Sequence, residues 1–515
     1  MALVTLLLGA AAWTTTPVVK TTNGSVAGAA SNGVASFFGI PFAQAPVGAF
    51  RFRAPQAHIP WTGVRPATTP GAQCVQGAGP SPTSPCGTWC SDHGYSPDAC
   101  GCGVCGSFGG CTFSCNANMS SAAHPLHKCP STPATLRATA MSEDCLVLNA
   151  FAPLASIPNG VEAAAVPLQP VFFYIHGGGF VSGSATTAAH NLTRLTDHVT
   201  FAIQYRLGAL GFLSTESPPP NLGLADQLFA LRWVKENARA FGGDPDNIMI
   251  FGCSAGGASV AGLLVNKEAA GLYHAAALES PGSHQGWHDD EKRSDDDWMS
   301  ATLNEANSDT LSKQLGCTGR TDVVCLQGLD IHTLYSPSRQ LRFAPALVGA
   351  DGIYDTYPLR EIRKGNWNKV PVIVGGQSCE SCYSAVAALG PPQLPVSEAR
   401  FKSALVKAGF TETGTVTPDQ LTAWYAERIA SEGRWRTFAR ILSDSGHACS
   451  STLHAEALGA TGTAWRYFFA FANGQLPGVT LARSSLACRH HPHARRPACL
   501  PLGRAAGAAA ASLSR

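Results

Sequence analysis

Short continuous apolar runs and longer segments of helical period follow one another along this chain, and their order predicts the fold. Pro170 to Ile175 is a short run rich in β-forming residues and reads as a buried strand. Val199 to Tyr205 is a second. From Leu222 to Phe241 the apolar positions Leu224, Leu228, Leu231, Val234, Ala238 and Phe241 recur at steps of three and four residues, the spacing that lines one face of a helix. Gly242 to Pro245 stops it. Another apolar run, Asn247 to Phe251, halts at Gly252. Val370 to Val374 and Trp465 to Phe471 repeat the strand pattern near the end, while Val18 to Arg53 breaks into short strands and turns. Strand, helix, strand in this order predicts a mostly parallel sheet with helices packed on it.

Two glycine-rich stretches follow predicted strands, and both bear on chemistry. Gly252-Cys253-Ser254-Ala255-Gly256 has the G-x-S-x-G form of a nucleophile elbow, a sharp strand-to-helix turn that lifts a serine Oγ out of the sheet. A side chain at Gly252 or Gly256 would collide with such a turn. The Ala255 N–H, at the start of the helix, is placed to stabilise a developing oxyanion. An ordinary Gly/Ser-rich turn has the same composition, so the surroundings decide. His176-Gly177-Gly178-Gly179-Phe180, directly after the strand at Pro170, has the form of an oxyanion loop with bare backbone N–H groups.

Several further stretches carry a resemblance. They are Phe37 to Ala43, Pro46 to Gly48, Arg51-Phe52, Ser142 to Leu146, and the block from Asn221 through Asn247 into the elbow. Together they resemble the type-B carboxylesterases, the carboxylesterase/cholinesterase family of α/β-hydrolases, over roughly residues 15–75 and 140–475. The resemblance implies an α/β-hydrolase fold, a central, mostly parallel sheet flanked by helices. It implies Gly178 and Gly179 as oxyanion donors beside Ala255, and a structural His176 in place of a catalytic one. A serine hydroxyl needs a histidine base, and the histidine needs a carboxylate to hold it. In this family the acid sits in the turn after the strand at Val370, where Glu380 stands, with Asp355 and Glu361 as alternatives. The same likeness implies disulfides Cys74–Cys145 and Cys317–Cys325, although the latter two also read as unrelated thiols. Trp287 is a candidate wall of the acyl pocket.

The chain also departs from that pattern. Gln204 stands where the family usually has Asn. Cys253 precedes the serine where the family most often has Glu, which removes a negative charge that would favour cationic substrates. A bond from Cys253 to Cys379 or Cys382 is one expectation; a small buried thiol is the other. The family's histidine motif is missing after Phe471. The tail offers His490, with His491 and His493 nearby, as the base. His447 and His454 precede the last strand and read as surface or helix residues. Choline esters are disfavoured, because Ala134 to Arg137 occupies the place of a tryptophan that choline-binding relatives carry.

Composition narrows the setting. The 515 residues allow one large domain or a few ordinary ones. Only 14% are charged and the formal charge is +2, which argues against nucleic acid or an anionic membrane as the main partner. No apolar run reaches the length of a membrane span. Eighteen cysteines point to an oxidising compartment. Leu3 to Ala12 reads as a signal peptide (residues 1–12) or a buried first strand, and sequons at Asn23, Asn118 and Asn191 fit secretion. Eight cysteines between Cys74 and Cys145 lie among Gly, Ser and Pro and read as a disulfide-stapled insertion, residues 75–144. A zinc cluster around Cys100, Cys102 and Cys105 is the rival, but its spacing fits no common finger.

The expected organisation is a hydrolase domain over 13–480 and an atypical tail over 481–515. The expected activity is cleavage of a small carboxylic ester through an acyl-enzyme, without metal or organic cofactor. Two alternatives stay open: an impaired member acting in adhesion, as neuroligins do, or a truncated product without the histidine.

Overall fold

The structure is a computed structural model. It describes residues 16–76, 105–106, 110–111, 141–158, 167–185, 189–215, 220–282 and 299–469, with gaps at 339, 348–353, 355, 378, 391 and 412–415. The signal-peptide segment, most of the Cys-rich stretch, Asn118, Trp287, Asp355, His490, His491 and His493 therefore lie outside the described residues.

A nine-stranded sheet carries the molecule. In chain order its strands are β1 (Ala29–Ser31), β2 (Val34–Pro41), β3 (Val147–Pro153), β4 (Gln169–Ile175), β5 (Val199–Ile203), β6 (Gly243–Cys253), β7 (Ala275–Glu279), β8 (Val372–Gln377) and β9 (Ala464–Phe469). They lie in the order β9-β8-β7-β6-β4-β5-β3-β2-β1. The pairs from β1 to β5 are antiparallel, and those from β5 through β4 to β9 are parallel. Central strands read as unbroken apolar runs because both faces are covered: β5 is buried at every position.

Helices supply the cover. On one face α1 (Ala189–Thr196) packs on β3 and β5. Others pack elsewhere along the sheet: α2 (Leu222–Asn237) and α3 (Ala255–Val265) on β6, and α4 (Pro358–Lys364) against α3. The helical period continues to Phe241, but the last turn, Ala238–Phe241, tightens to a 3-10 form. Gly242 ends it at φ 78°, a left-handed cap that suits glycine. A second, separate core is built by α5 (Cys382–Leu389), α6 (Glu398–Lys407), α7 (Pro418–Trp424) and α8 (Ala426–Ser443) around Phe401, Leu405, Leu421, Trp435 and Phe438. From there α9 (Cys449–Thr461) leads back to β8 and β9.

Two ion pairs fasten the chain around the catalytic end of the sheet. Arg206 meets Asp226 of α2 through two side-chain hydrogen bonds of 2.8 and 2.6 Å and also donates to the Arg53 carbonyl at 2.7 Å. Arg51 grips Glu143 at 2.6 and 2.7 Å and donates to the carbonyls of Leu326, Gln327 and Leu329. Cys74 is bonded to Cys145 beside them. Asn23 corrects the glycosylation expectation. Its side chain is buried, donating to the His58 carbonyl and accepting from Trp233 Nε1, so that amide has no room for a glycan. Asn191 is exposed on α1.

Asp226 is fully buried, so its loss strands the Arg206 charge. Asp226→Ala is expected to lower the unfolding free energy by about 3–5 kcal/mol, read by denaturant titration.

Candidate active site

β6 ends at Cys253 and α3 begins at Ala255. Ser254 alone makes the turn, at φ 59° and ψ −122°. A non-glycine residue there is strained. Packing holds it in place. A Cβ on Gly252 would come within 2.6 Å of the Ile175 carbonyl oxygen, and one on Gly256 would strike the same oxygen. The bare glycines let α3 press against the end of β4, and the Ser254 N–H is tied to the Glu279 carbonyl at 2.9 Å.

The loop after β4 lies against this turn. A Cβ on Gly177 would run into the Cys253 carbonyl. Gly178 sits at φ 114° and Gly179 at φ 62°, and the Gly178 carbonyl accepts from the N–H groups of Val181 and Ser182, both at 3.1 Å. Among the described residues the N–H groups of Gly178, Gly179 and Ala255 make no backbone hydrogen bond. That arrangement can receive an oxygen carrying negative charge. His176 stacks on Tyr205 with ring centroids 4.3 Å apart, and its Nδ1 donates to the Gly177 carbonyl at 2.8 Å. Burial pushes its pKa down to about 4, against a smaller upward pull from that carbonyl. It is a neutral, packed ring.

Glu380 follows β8 in a short turn. Its Oε1 accepts from Ser280 Oγ at 2.6 Å and from the Gln377 N–H at 2.6 Å, and its Oε2 accepts from Gln377 Nε2 at 3.1 Å. Ser280 is itself at φ 46°, with its N–H on the Gly375 carbonyl at 2.6 Å. Thus Ser254 and Ser280 occupy consecutive steps across the parallel strands, and Glu380 hangs over them. A Cβ on Gly376 would fall 2.7 Å from Glu380 Oε1, so only glycine leaves the carboxylate its place. The other candidate acid, Glu361, is engaged elsewhere, with Lys364 and Asn366.

The Cys253 expectation is corrected. Cys379 bonds to Cys382, bracketing Glu380, and neither Cys253 nor Cys449 forms a disulfide. A three-residue separation lets the two cysteines of the turn reach each other first. Cys253 is half-buried; burial, then the Glu279 and Glu380 carboxylates, push its pKa up to about 11. Cys317 is bonded to Cys325. His447 and His454 do lie on helical backbone, but both are buried, not on the surface.

Two residues near the nucleophile went unremarked in the sequence. Cys253 of β6 is in register with Glu279 of β7, Glu279 with Gly375 of β8, and Gly375 with Tyr467 of β9. Side chains at paired positions share a face of the sheet. The signal was present in the single carboxylate closing an apolar run, Ala275 to Glu279, but only the strand register turns it toward the site.

Two outcomes follow from these contacts. Non-reducing peptide mapping is expected to return Cys74–Cys145, Cys317–Cys325 and Cys379–Cys382, with Cys253 and Cys449 alkylated. His176 titrates near 4 when folded and near 6.5 as a free group. Between those values the unfolded chain binds more protons, so stability falls as pH drops from 6.5 toward 4. Chemical denaturation across that range is expected to show the fall, reduced in His176→Gln.

The comparisons with known proteins agree with this geometry. The chain is 32% identical over 368 residues to an acylcarnitine hydrolase of Mus musculus, covering 70% of this chain and 54% of that protein. It is 34% identical over 276 residues to a para-nitrobenzyl esterase of Bacillus subtilis (strain 168), covering 52% and 44%. The chain spans about half the length of the curated relatives it matches. Among solved structures, a carboxylesterase of Geobacillus stearothermophilus superposes with a TM-score of 0.65 at 27% identity, covering 90% of this chain and 82% of that one. The profile described as "Carboxylesterase family" matches residues 15–479, and the chain belongs to that family.

Proposed function

We propose that this protein hydrolyses small carboxylic esters through an acyl-enzyme. The observation that carries the reading is Ser254, held in a strained turn at the head of α3 with the unengaged N–H groups of Gly178, Gly179 and Ala255 around it. Ser254 Oγ attacks the ester carbonyl, and its proton passes to a base. The three N–H groups hold the oxyanion of the tetrahedral intermediate. The base then protonates the leaving alcohol. Water repeats the sequence on the acyl-enzyme and releases the acid.

Glu380 orients the base and stabilises its charged form. Ser280 and Gln377 fix the carboxylate for that task. His490 is our proposed base, with His491 as the alternative. Relatives bearing the names acylcarnitine hydrolase and para-nitrobenzyl esterase support a carboxylic-ester substrate class. The reaction needs no metal or organic cofactor. Three disulfides favour the secretory pathway as the working compartment, and Asn191 is the proposed glycosylation site. No described helix is long and apolar enough to cross a membrane.

A fluorescent fluorophosphonate is expected to label Ser254 alone, by mass spectrometry, and to leave Ser254→Ala unlabelled. Glu380→Gln is expected to cut kcat for p-nitrophenyl butyrate by roughly 10³–10⁴. A folded protein that takes no label would reject the reading in favour of a binding role.

A further inference from the structure

We infer that Glu279 is a positioning residue for this reaction, returning to the nucleophile the neighbouring carboxylate that Cys253 lacks. The inference rests on the ester-hydrolase reading above and names a residue that reading does not use.

The strand register carries it. Glu279 stands opposite Cys253, so its side chain rises beside the thiol on the same face of the sheet. On its other side is Gly375, which contributes no side chain, and the Tyr467 ring leans into the space a Cβ there would occupy. The backbone of Glu279 is fixed at the elbow by the Ser254 N–H at 2.9 Å. The next residue, Ser280, donates to Glu380. Glu279 therefore anchors the nucleophile's backbone and directly precedes the residue that holds the acid.

Its charge is unspent. Among the described residues the Glu279 carboxylate makes no hydrogen bond and no ion pair, although it is half-buried, and burial raises its pKa. The groups that face it are Cys253 from β6 and Tyr467 from β9, with Glu380 acting on the same two from the turn after β8. None of them is a cation. The thiol is pushed up to about 11 and the phenol is pushed up as well, so both are neutral at neutral pH. Both carboxylates thus act on the same thiol and the same phenol. The cation formed each time Ser254 gives up its proton is the charge these two anions favour. Glu279 takes no proton in this step; in its ionised form it makes the charged base easier to form. A carboxylate contributed by β7 thereby acts where the residue before the serine would have acted.

The test is the pH profile of kcat/KM for p-nitrophenyl butyrate, a neutral ester, in the wild type and in Glu279→Gln. Removing an anion lowers the proton affinity of the base, so the acid-side inflection is expected to move down by about 0.5–1 pH unit, with a several-fold loss of kcat at neutral pH and little change in KM. Cys253→Glu in the Glu279→Gln background is expected to return the inflection toward its wild-type position. A Glu279→Gln enzyme with an unchanged melting temperature and an unmoved inflection would overturn the inference. A second readout needs no turnover. The rate of Cys253 alkylation by iodoacetamide against pH reports the thiol pKa, and Glu279→Gln is expected to lower it by at least about half a unit. If the wild type shows no esterase activity but the thiol shifts, the ester-hydrolase reading fails and the charge at the elbow stands. If the thiol does not shift, the inference fails whatever the activity. Should Glu279→Gln not fold, Glu279→Asp is to be compared on both readouts, with smaller shifts in the same directions expected and none overturning the inference.

Discussion

One close contact governs the catalytic end of this molecule: the Ile175 carbonyl, at the end of β4, against the bare backbones of Gly252 and Gly256. It sets how near α3 comes to the sheet. That distance in turn forces Ser254 alone to make the passage from strand to helix, in a conformation that only surrounding packing can hold. The loop after β4 begins one residue beyond the same carbonyl and settles on the Cys253 carbonyl through Gly177. A methyl group at any of these three glycines would push apart the elements that carry the serine and the free N–H groups.

Around this contact, charge is distributed unevenly. The cations near it are committed to structure. Arg206 is enclosed by Asp226 and the Arg53 carbonyl, and Arg51 by Glu143 and three carbonyls. The anions beside the serine, Glu279 and Glu380, are left without a cationic partner among the described residues. Buried ions usually find an opposite charge. Here the two carboxylates act on the same thiol and phenol, and the neutral His176 does not offset them.

Much of this was legible from residue order. The runs at Pro170, Val199, Asn247 and Val370 became β4, β5, β6 and β8, because central parallel strands must be apolar on both faces, and the run at Trp465 became β9, which ends the strand order. The helix from Leu222 was legible from its period, though its final tightening was not, since a 3-10 turn keeps much the same spacing. Elbow and oxyanion loop were legible because steric exclusion leaves glycine little competition there. What depends on register was hidden. Glu279 and Tyr467 reach the site only through three successive strand pairings, and nothing in local sequence states which strands will be neighbours. The state of Cys253 was hidden for a related reason, because thiols compete for partners in space, and Cys379 and Cys382 were already adjacent. Asn23 carries a perfect surface signal yet is buried, since a three-residue motif carries no information about Trp233 lying above it.

The unequal size of two of the hydrophobic cores has a kinetic meaning. Ser254 sits between β6 and α3, whose apolar residues belong to the large core, whereas the turn bearing Glu380 is wedged against a small one: Cys379 and Cys382 pack on it, and the Ser381 N–H donates to Ser443 Oγ at 3.0 Å. The two halves of the machinery are therefore mounted on bodies of unequal cohesion. Small cores loosen at lower free energy than large ones. On warming, the acid would lose its alignment while the serine and the oxyanion loop were still in place, so inactivation would precede the main unfolding transition, and the helices of the small core would set the upper working temperature.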